Sequence, residues 1–129
     1  MNNIQTMWLD LDNGIRYWKF DAQWTWDEFY QHLQADIEQT PISKKPFDVI
    51  LDFTCTRELP PHFLTQMRVS SIRANDNLDT IVFVGNRVVH ALMDSFHLLN
   101  HRFLNRYSFA DTLEQAMSIV RRHQHADLN

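Results

Sequence analysis

Phe47-Asp48-Val49-Ile50-Leu51-Asp52-Phe53 is the stretch whose reading decides the fold. It is mostly apolar, and reads as a strand buried on both faces, as strands of parallel sheets are. Thr80-Ile81-Val82-Phe83-Val84 reads as a second strand of the same kind, closed by Gly85-Asn86. Between them Thr54 to Leu59 is a polar loop. Pro60-Pro61 then opens a helix, since proline is tolerated in the first turn. Phe63, Leu64, Met67 and Ser71 would line its inner face, and Asn75-Asp76-Asn77 breaks it. A strand, a helix and a second buried strand make a right-handed crossover in a parallel sheet.

Upstream, residues 4 to 21 predict a β-hairpin. Ile4 to Leu11 is rich in strand formers, Asp12-Asn13-Gly14 is a turn in which Asn and Gly tolerate positive φ, and Ile15 to Phe20 returns. Thr25 predicts a helix N-cap with Glu28 as its capping-box partner, and Trp24 with Phe29 forms a hydrophobic staple. Trp26, Phe29, Tyr30, Leu33 and Ile37 recur at helical spacing, and Pro41 ends the helix. Residues 40 to 46 form a polar loop. Downstream, a longer helix is expected from about Arg87 to Phe103, then a short strand Tyr107-Ser108-Phe109. A final helix follows, capped by Asp111 with Glu114 as box partner. It turns Leu113, Ala116, Met117 and Val120 inward and frays from His123. The order is ββαβαβαβα: an α/β domain over residues 1 to 129. Its five-stranded sheet is mainly parallel with an antiparallel edge.

The totals agree with one soluble domain. The chain has 129 residues, 44% of them apolar and 22% charged. Two glycines leave no room for a glycine-rich phosphate loop. The net charge of −4, with no basic block longer than Arg121-Arg122, argues against nucleic-acid binding. A single cysteine, Cys55, suits a reducing compartment. No apolar run approaches the roughly 20 residues of a membrane span, and the first residues lack the pattern of a secretory signal. The expected location is the cytoplasm.

The element order, and three segments in particular, resemble the STAS-like (SpoIIAA-like) domains, which include bacterial anti-sigma-factor antagonists and lipid-binding CRAL-TRIO relatives. The segments are Val49-Ile50-Leu51-Asp52-Phe53-Thr54, Thr80-Ile81-Val82-Phe83-Val84-Gly85-Asn86 and Phe109-Ala110-Asp111-Thr112-Leu113-Glu114-Gln115-Ala116. The resemblance covers nearly the whole chain and is to short, stand-alone bacterial members. It implies a sheet wound sequentially with helices mostly on one face, and a binding or regulatory role rather than catalysis. Phosphoswitch members of that group carry an Asp-Ser step at the start of the helix after the second core strand. Here that region reads Arg57-Glu58-Leu59-Pro60-Pro61-His62-Phe63, without a serine. A phosphorylation switch is therefore not expected.

No catalytic motif is present, and no cofactor or metal is expected. His90, Asp94, His97 and His101 share one face of the third helix, and His97 with His101 has the i,i+4 spacing that chelates metals. The apolar stripe Val88, Leu92, Phe96, Leu99 and Phe103 lies opposite, so this reads as a solvated polar face. In open α/β sheets ligands bind beyond the carboxyl ends of the strands. Those ends offer Thr54, Cys55, Thr56, Arg57, Asn86, Arg87 and Asp111. Thr54, Thr56, Arg57, Asn86 and Arg87 are the candidate ligand-binding residues, against the plainer reading of turns and solvated side chains. Cys55 lacks an activating base, and Asp52 reads as an acceptor for the loop after it. Trp8, Trp18, Trp24 and Trp26 crowd the first 26 residues. If all helices lie on one face, the other sheet face is bare, and a bare apolar face marks an interface; the rival reading is a tryptophan-packed core. Trp8, Trp18, Pro60, Pro61, His62 and Phe63 are the candidate protein interface. The expectation is a non-enzymatic interaction or regulatory module that docks a protein partner and forms a homodimer. A carrier for a small apolar or lipid-like ligand is the alternative.

Overall fold

The computed structural model describes residues 3–39, 47–63, 65–66, 78–85 and 107–127. The expected helix from Arg87 to Phe103 with His90, Asp94, His97 and His101 lies outside these, as do Asn86, Arg87, Leu64, Met67 and Ser71.

Strands β1 (Ile4–Asp10) and β2 (Ile15–Phe20) form the hairpin, followed by helix α1 (Trp26–Gln39). Strands β3 (Phe47–Asp52), β4 (Leu78–Val84) and β5 (Tyr107–Ala110) come next, and helix α2 (Leu113–Asp127) closes the described chain. The sheet order is β1-β2-β3-β4-β5. β1 pairs antiparallel with β2, and every later pairing is parallel. This is the sequential, mainly parallel sheet with an antiparallel edge that the sequence predicts.

Local chemistry explains the element ends. Asp10 accepts from the Asn13 amide N–H (3.2 Å) and from Asn13 Nδ2 (2.7 Å), and Gly14 takes φ of 67°. These hydrogen bonds hold the exposed Asp10 carboxyl below its ordinary range. At α1 the Glu28 N–H donates to Thr25 Oγ1 (3.3 Å), and Trp24 packs on Phe29 at 6.1 Å, the cap and staple expected. Glu28 also reaches past its box, accepting from the Asn3 N–H at 2.8 Å, which ties the helix to the start of β1. At α2 the cap is Thr112, not Asp111: Thr112 Oγ1 accepts from the Gln115 N–H (3.1 Å) and Gln115 Oε1 from the Asp111 N–H (2.8 Å). Both frames fit a capping signature, and the inward positions Leu113, Ala116 and Val120 are compatible with the one a residue later. The expected fraying from His123 is corrected too, because α2 continues to Asp127. Gln124 anchors this last stretch, donating to the Asn13 carbonyl and the Asp48 carboxylate, both at 2.8 Å.

The sheet carries a different core on each face. On one face Ile4, Trp18, Phe20, Leu51, Phe53 and Phe83 meet Trp24, Phe29 from α1, and Phe63. On the other Ile15, Tyr17, Ile50, Val82, Val84 and Ala110 meet Ala116 and Val120 from α2. The bare sheet face considered from the sequence is therefore not bare: α2 covers it over β3, β4 and β5. α1 and the helical turn at Phe63 share the opposite face, as right-handed crossovers along a sequential sheet require. α2 follows the last strand and is free of that constraint. The first core is a stack of rings, with Phe20 and Phe53 at 4.5 Å and 14° and Trp24 4.7 Å from Phe20. Each such ring contributes about 1.5–3 kcal/mol through burial.

Candidate functional site

The carboxyl ends of β2, β3, β4 and β5 lie at one rim of the sheet. There Asp52, the last residue of β3, is 5% exposed and fully engaged. Its Oδ2 accepts from Tyr17 Oη at 2.5 Å, and its Oδ1 from the Thr54 N–H at 2.9 Å and Thr54 Oγ1 at 2.7 Å. Burial, then the bond to Asp52 and its negative charge, push the Tyr17 phenol well above its ordinary pKa. The expectation that Asp52 receives bonds from the loop after it agrees with this geometry. Tyr17, on the neighbouring strand, was not foreseen.

The loop that follows is clasped to the segment between β2 and α1. Ala22 and Thr56 form a parallel bridge, in which the Ala22 N–H donates to the Cys55 carbonyl and the Arg57 N–H to the Ala22 carbonyl, both at 2.9 Å. Thr56 Oγ1 donates to the Phe20 carbonyl at 2.9 Å. Gln23 Nε2 reaches Glu58 Oε2 at 3.0 Å, and Trp26 Nε1 donates to the Pro61 carbonyl at 2.7 Å. Tyr30 Oη bonds Gln66 Oε1 just beyond. Ala22 and His62 both take positive φ, 51° and 59°. Such backbone costs roughly 1–3 kcal/mol per residue and persists where its surroundings over-determine it; at Ala22 the two backbone bonds on either side do so.

The candidate residues thus fall into three groups. Thr54 and Arg57 are exposed on the loop, while Thr56, half-buried, spends its hydroxyl on Phe20. Pro60 is half-buried, and Pro61 and His62 are exposed beside them. Trp18 and Phe63 are corrected as surface residues: at 4% and 5% exposure their rings belong to the aromatic core. Trp18 lies there because its register partner on β1 is Thr6 and α1 closes over both; its Nε1 donates to Asp36 at 3.0 Å. Phe63 is drawn in by Trp24, Trp26 and Phe53. Trp8 is half-buried at the far side of the sheet, edge-on to Phe47, with the Arg16 guanidinium 5.2 Å from its ring centre. It is not part of the rim.

Of the clasp residues, Ala22 and Gln23 were missed by sequence reasoning, since neither carries a motif, and Trp26 and Tyr30 were read only as part of the helical stripe and the tryptophan cluster. Asp52 and Thr54 did carry a signal: an Asp ending a strand with Thr two residues on is the spacing of an Asx turn. Among the described residues no group of three or more His, Cys, Asp or Glu is placed to hold a metal ion. Among them, too, no helix is long and apolar enough to cross a membrane.

No protein-family profile matches the chain, and no curated protein matches it. One solved structure is similar over nearly its full length: an uncharacterised protein of the DUF3478 family with a SpoIIAA-like fold, from Shewanella loihica PV-4. The TM-score is 0.65 at 12% identity, covering 92% of this chain and 94% of that one. Sequence order, sheet topology and this likeness together identify the fold of the chain as SpoIIAA-like, the architecture of the STAS-like domains.

Proposed function

We propose that the chain is a non-enzymatic interaction module of the STAS-like type, which docks a protein partner on the loop from Thr54 to Phe63. One observation carries the reading: the loop is exposed in its side chains yet fastened in its backbone. Cys55, Arg57, Pro61 and His62 face solvent, while hydrogen bonds from Ala22, Thr56 and Trp26 hold the chain beneath them. A surface ordered in advance loses little conformational entropy on binding. Asp52 and Thr54 satisfy one another, which supports a structural part for them rather than a reactive one. The proposed setting is a reducing compartment such as the cytoplasm, in keeping with the free, exposed thiol of Cys55. The carrier alternative has less in its favour, because the described faces of the sheet are filled by ring and aliphatic packing rather than left open for cargo.

The experiment attaches a benzophenone maleimide to the native Cys55 and irradiates the protein in an extract of the cells that produce it. The control is the double variant Cys55→Ser, Ser118→Cys, which moves the label to the exposed side of α2. A partner found only from Cys55 is then purified, and its binding is measured against wild type and Arg57→Glu. Loss of binding in the variant is the expected result. The same adducts from both label positions, or unchanged affinity in Arg57→Glu, would overturn the assignment of this surface.

A further inference from the structure

We infer that β1 is a self-pairing edge, through which two copies join antiparallel about a two-fold axis at Met7 and make one continuous ten-stranded sheet. The occupant is a second copy of this chain. The inference uses β1 and not the rim loop, so its failure leaves the docking proposal standing.

Among the described strands β1 lies at the end of the sheet order, beside β2. Its sequence, Ile-Gln-Thr-Met-Trp-Leu-Asp, has no lysine, no proline and no charge before Asp10. Those are the devices with which natural proteins blunt an exposed edge. The opposite edge, β5, is protected by being four residues long. The two large apolar side chains exposed among the described residues, Met7 at 43% and Leu11 at 66%, are on β1 and the turn that follows it.

Hydrogen-bond parity fixes how the edge can be used. The Asp21 N–H donates to the Asn3 carbonyl at 2.8 Å, and these residues are opposite one another in the register that pairs Ile4 with Phe20. Asn3, Gln5 and Met7 therefore turn their backbone groups toward β2, and the alternate residues turn theirs outward. The Asp48 N–H bond to the Gly14 carbonyl (2.7 Å) and the Thr56 bond to the Phe20 carbonyl agree, since they show the even-numbered residues Gly14, just before β2, and Phe20, at its end, turned toward the β3 side. Thr6 and Trp8 thus present an N–H and a C=O each to the open edge.

This pattern is self-complementary. With Met7 opposite Met7 of the second copy, Thr6 faces Trp8 of the second copy and Trp8 faces its Thr6. Two hydrogen-bonded pairs then flank a central non-bonded pair. The exposed thioethers meet on the axis, at a Cα separation of about 4.5 Å. Charge fits as well. The single carboxylate of each strand, Asp10, is three residues from the axis, so the two lie about 20 Å apart. The strand offers no charge by which a foreign peptide would be chosen over a second copy. Thr6 and Trp8 are already immobilised, Thr6 Oγ1 accepting from Arg16 Nη2 at 3.0 Å and Trp8 lying under the same guanidinium. The bulge between Trp8 and Asp10 ends the regular run and confines the ladder to this short stretch.

Sedimentation velocity of the full chain over a micromolar-to-millimolar series tests the inference, with wild type beside Met7→Lys. The side chain of Met7 is exposed, so the variant folds, as circular dichroism would check. Wild type is expected to dimerise with concentration, and the facing ammonium groups to weaken the dimer by roughly tenfold or more. Independently, Met7→Cys in a Cys55→Ser background is expected to form an intermolecular disulfide, because the axial pair lies within disulfide reach. Gln5→Cys in the same background, whose register places it opposite Leu9, is not. A monomer throughout the series would overturn the inference. So would a dimer indifferent to Met7→Lys, or cross-linking equally efficient at positions 5 and 7.

Discussion

Removing the Tyr17 hydroxyl is the sharpest probe of the buried polar pair at the rim. Tyr17 and Asp52 are 6% and 5% exposed, and among the described residues the Tyr17 hydroxyl, at 2.5 Å, is the one donor to Asp52 Oδ2. Both Thr54 bonds go to Oδ1, so they do not replace it. A hydrogen bond to a charged acceptor contributes about 1.5–3 kcal/mol. Tyr17→Phe is therefore expected to lose about 2 kcal/mol at neutral pH, a fall in Tm of roughly 6–10 °C for a chain of this size. The pH dependence follows from the raised phenol pKa. The unfolded phenol ionises near about pH 10 and the folded one higher, so the folded state holds this proton more tightly. The pair's contribution is fully present below about pH 10 and is lost as pH climbs from there through the folded pKa. Urea denaturation followed by circular dichroism, at neutral pH and in steps above pH 10, should show wild type and Tyr17→Phe converging in alkali. A neutral-pH difference under about 0.5 kcal/mol, or a gap that stays constant in alkali, would refute the reasoning.

Asp36 on α1 holds Arg16 bidentately, at 2.7 and 3.1 Å, and accepts from Trp18 Nε1, with the ion pair only 13% and 17% exposed. Asp36→Ala should cost about 2 kcal/mol, between the values for exposed and buried pairs; a urea midpoint unchanged from wild type would make the pair a surface ornament. Thr112→Ala should cost about 1 kcal/mol as loss of the α2 cap. Asp111→Ala should cost clearly less, and the reverse order in thermal melts would restore Asp111 as the cap.

What the sequence made legible was local. The Asn13-Gly14 turn, the Thr25 cap and the Trp24–Phe29 staple depend on residues within a few positions of each other, and they stand where the spacing predicts. The buried strands were legible because β3 and β4 are covered on both faces of the sheet and so need apolar residues on both. Less legible was anything that joins distant segments. Asp48 read as one polar position in an apolar strand. In the structure the register shift between Phe47 and Val49 puts an extra β4 residue opposite it, and Asp48 Oδ1 accepts the displaced Thr80 N–H at 3.0 Å. Arg16 with Asp36, and Tyr17 with Asp52, are likewise pairs made by strand and helix packing. At the rim, exposure of Thr54, Arg57, Pro61 and His62 followed from their polar, proline-rich setting, whereas burial of Phe63 depended on a ring cluster assembled from three separate elements.

The two unlike cores have a practical corollary for anyone watching this protein unfold. All four tryptophans, Trp8, Trp18, Trp24 and Trp26, belong to the α1 side of the sheet, and among the described residues of the α2 core Tyr17 is the one aromatic. Indole emission consequently reports on one layer of the molecule. A partly opened state that shed α2 would leave that signal nearly intact, and amide exchange along Leu113–Asp127 would be the measurement to register it.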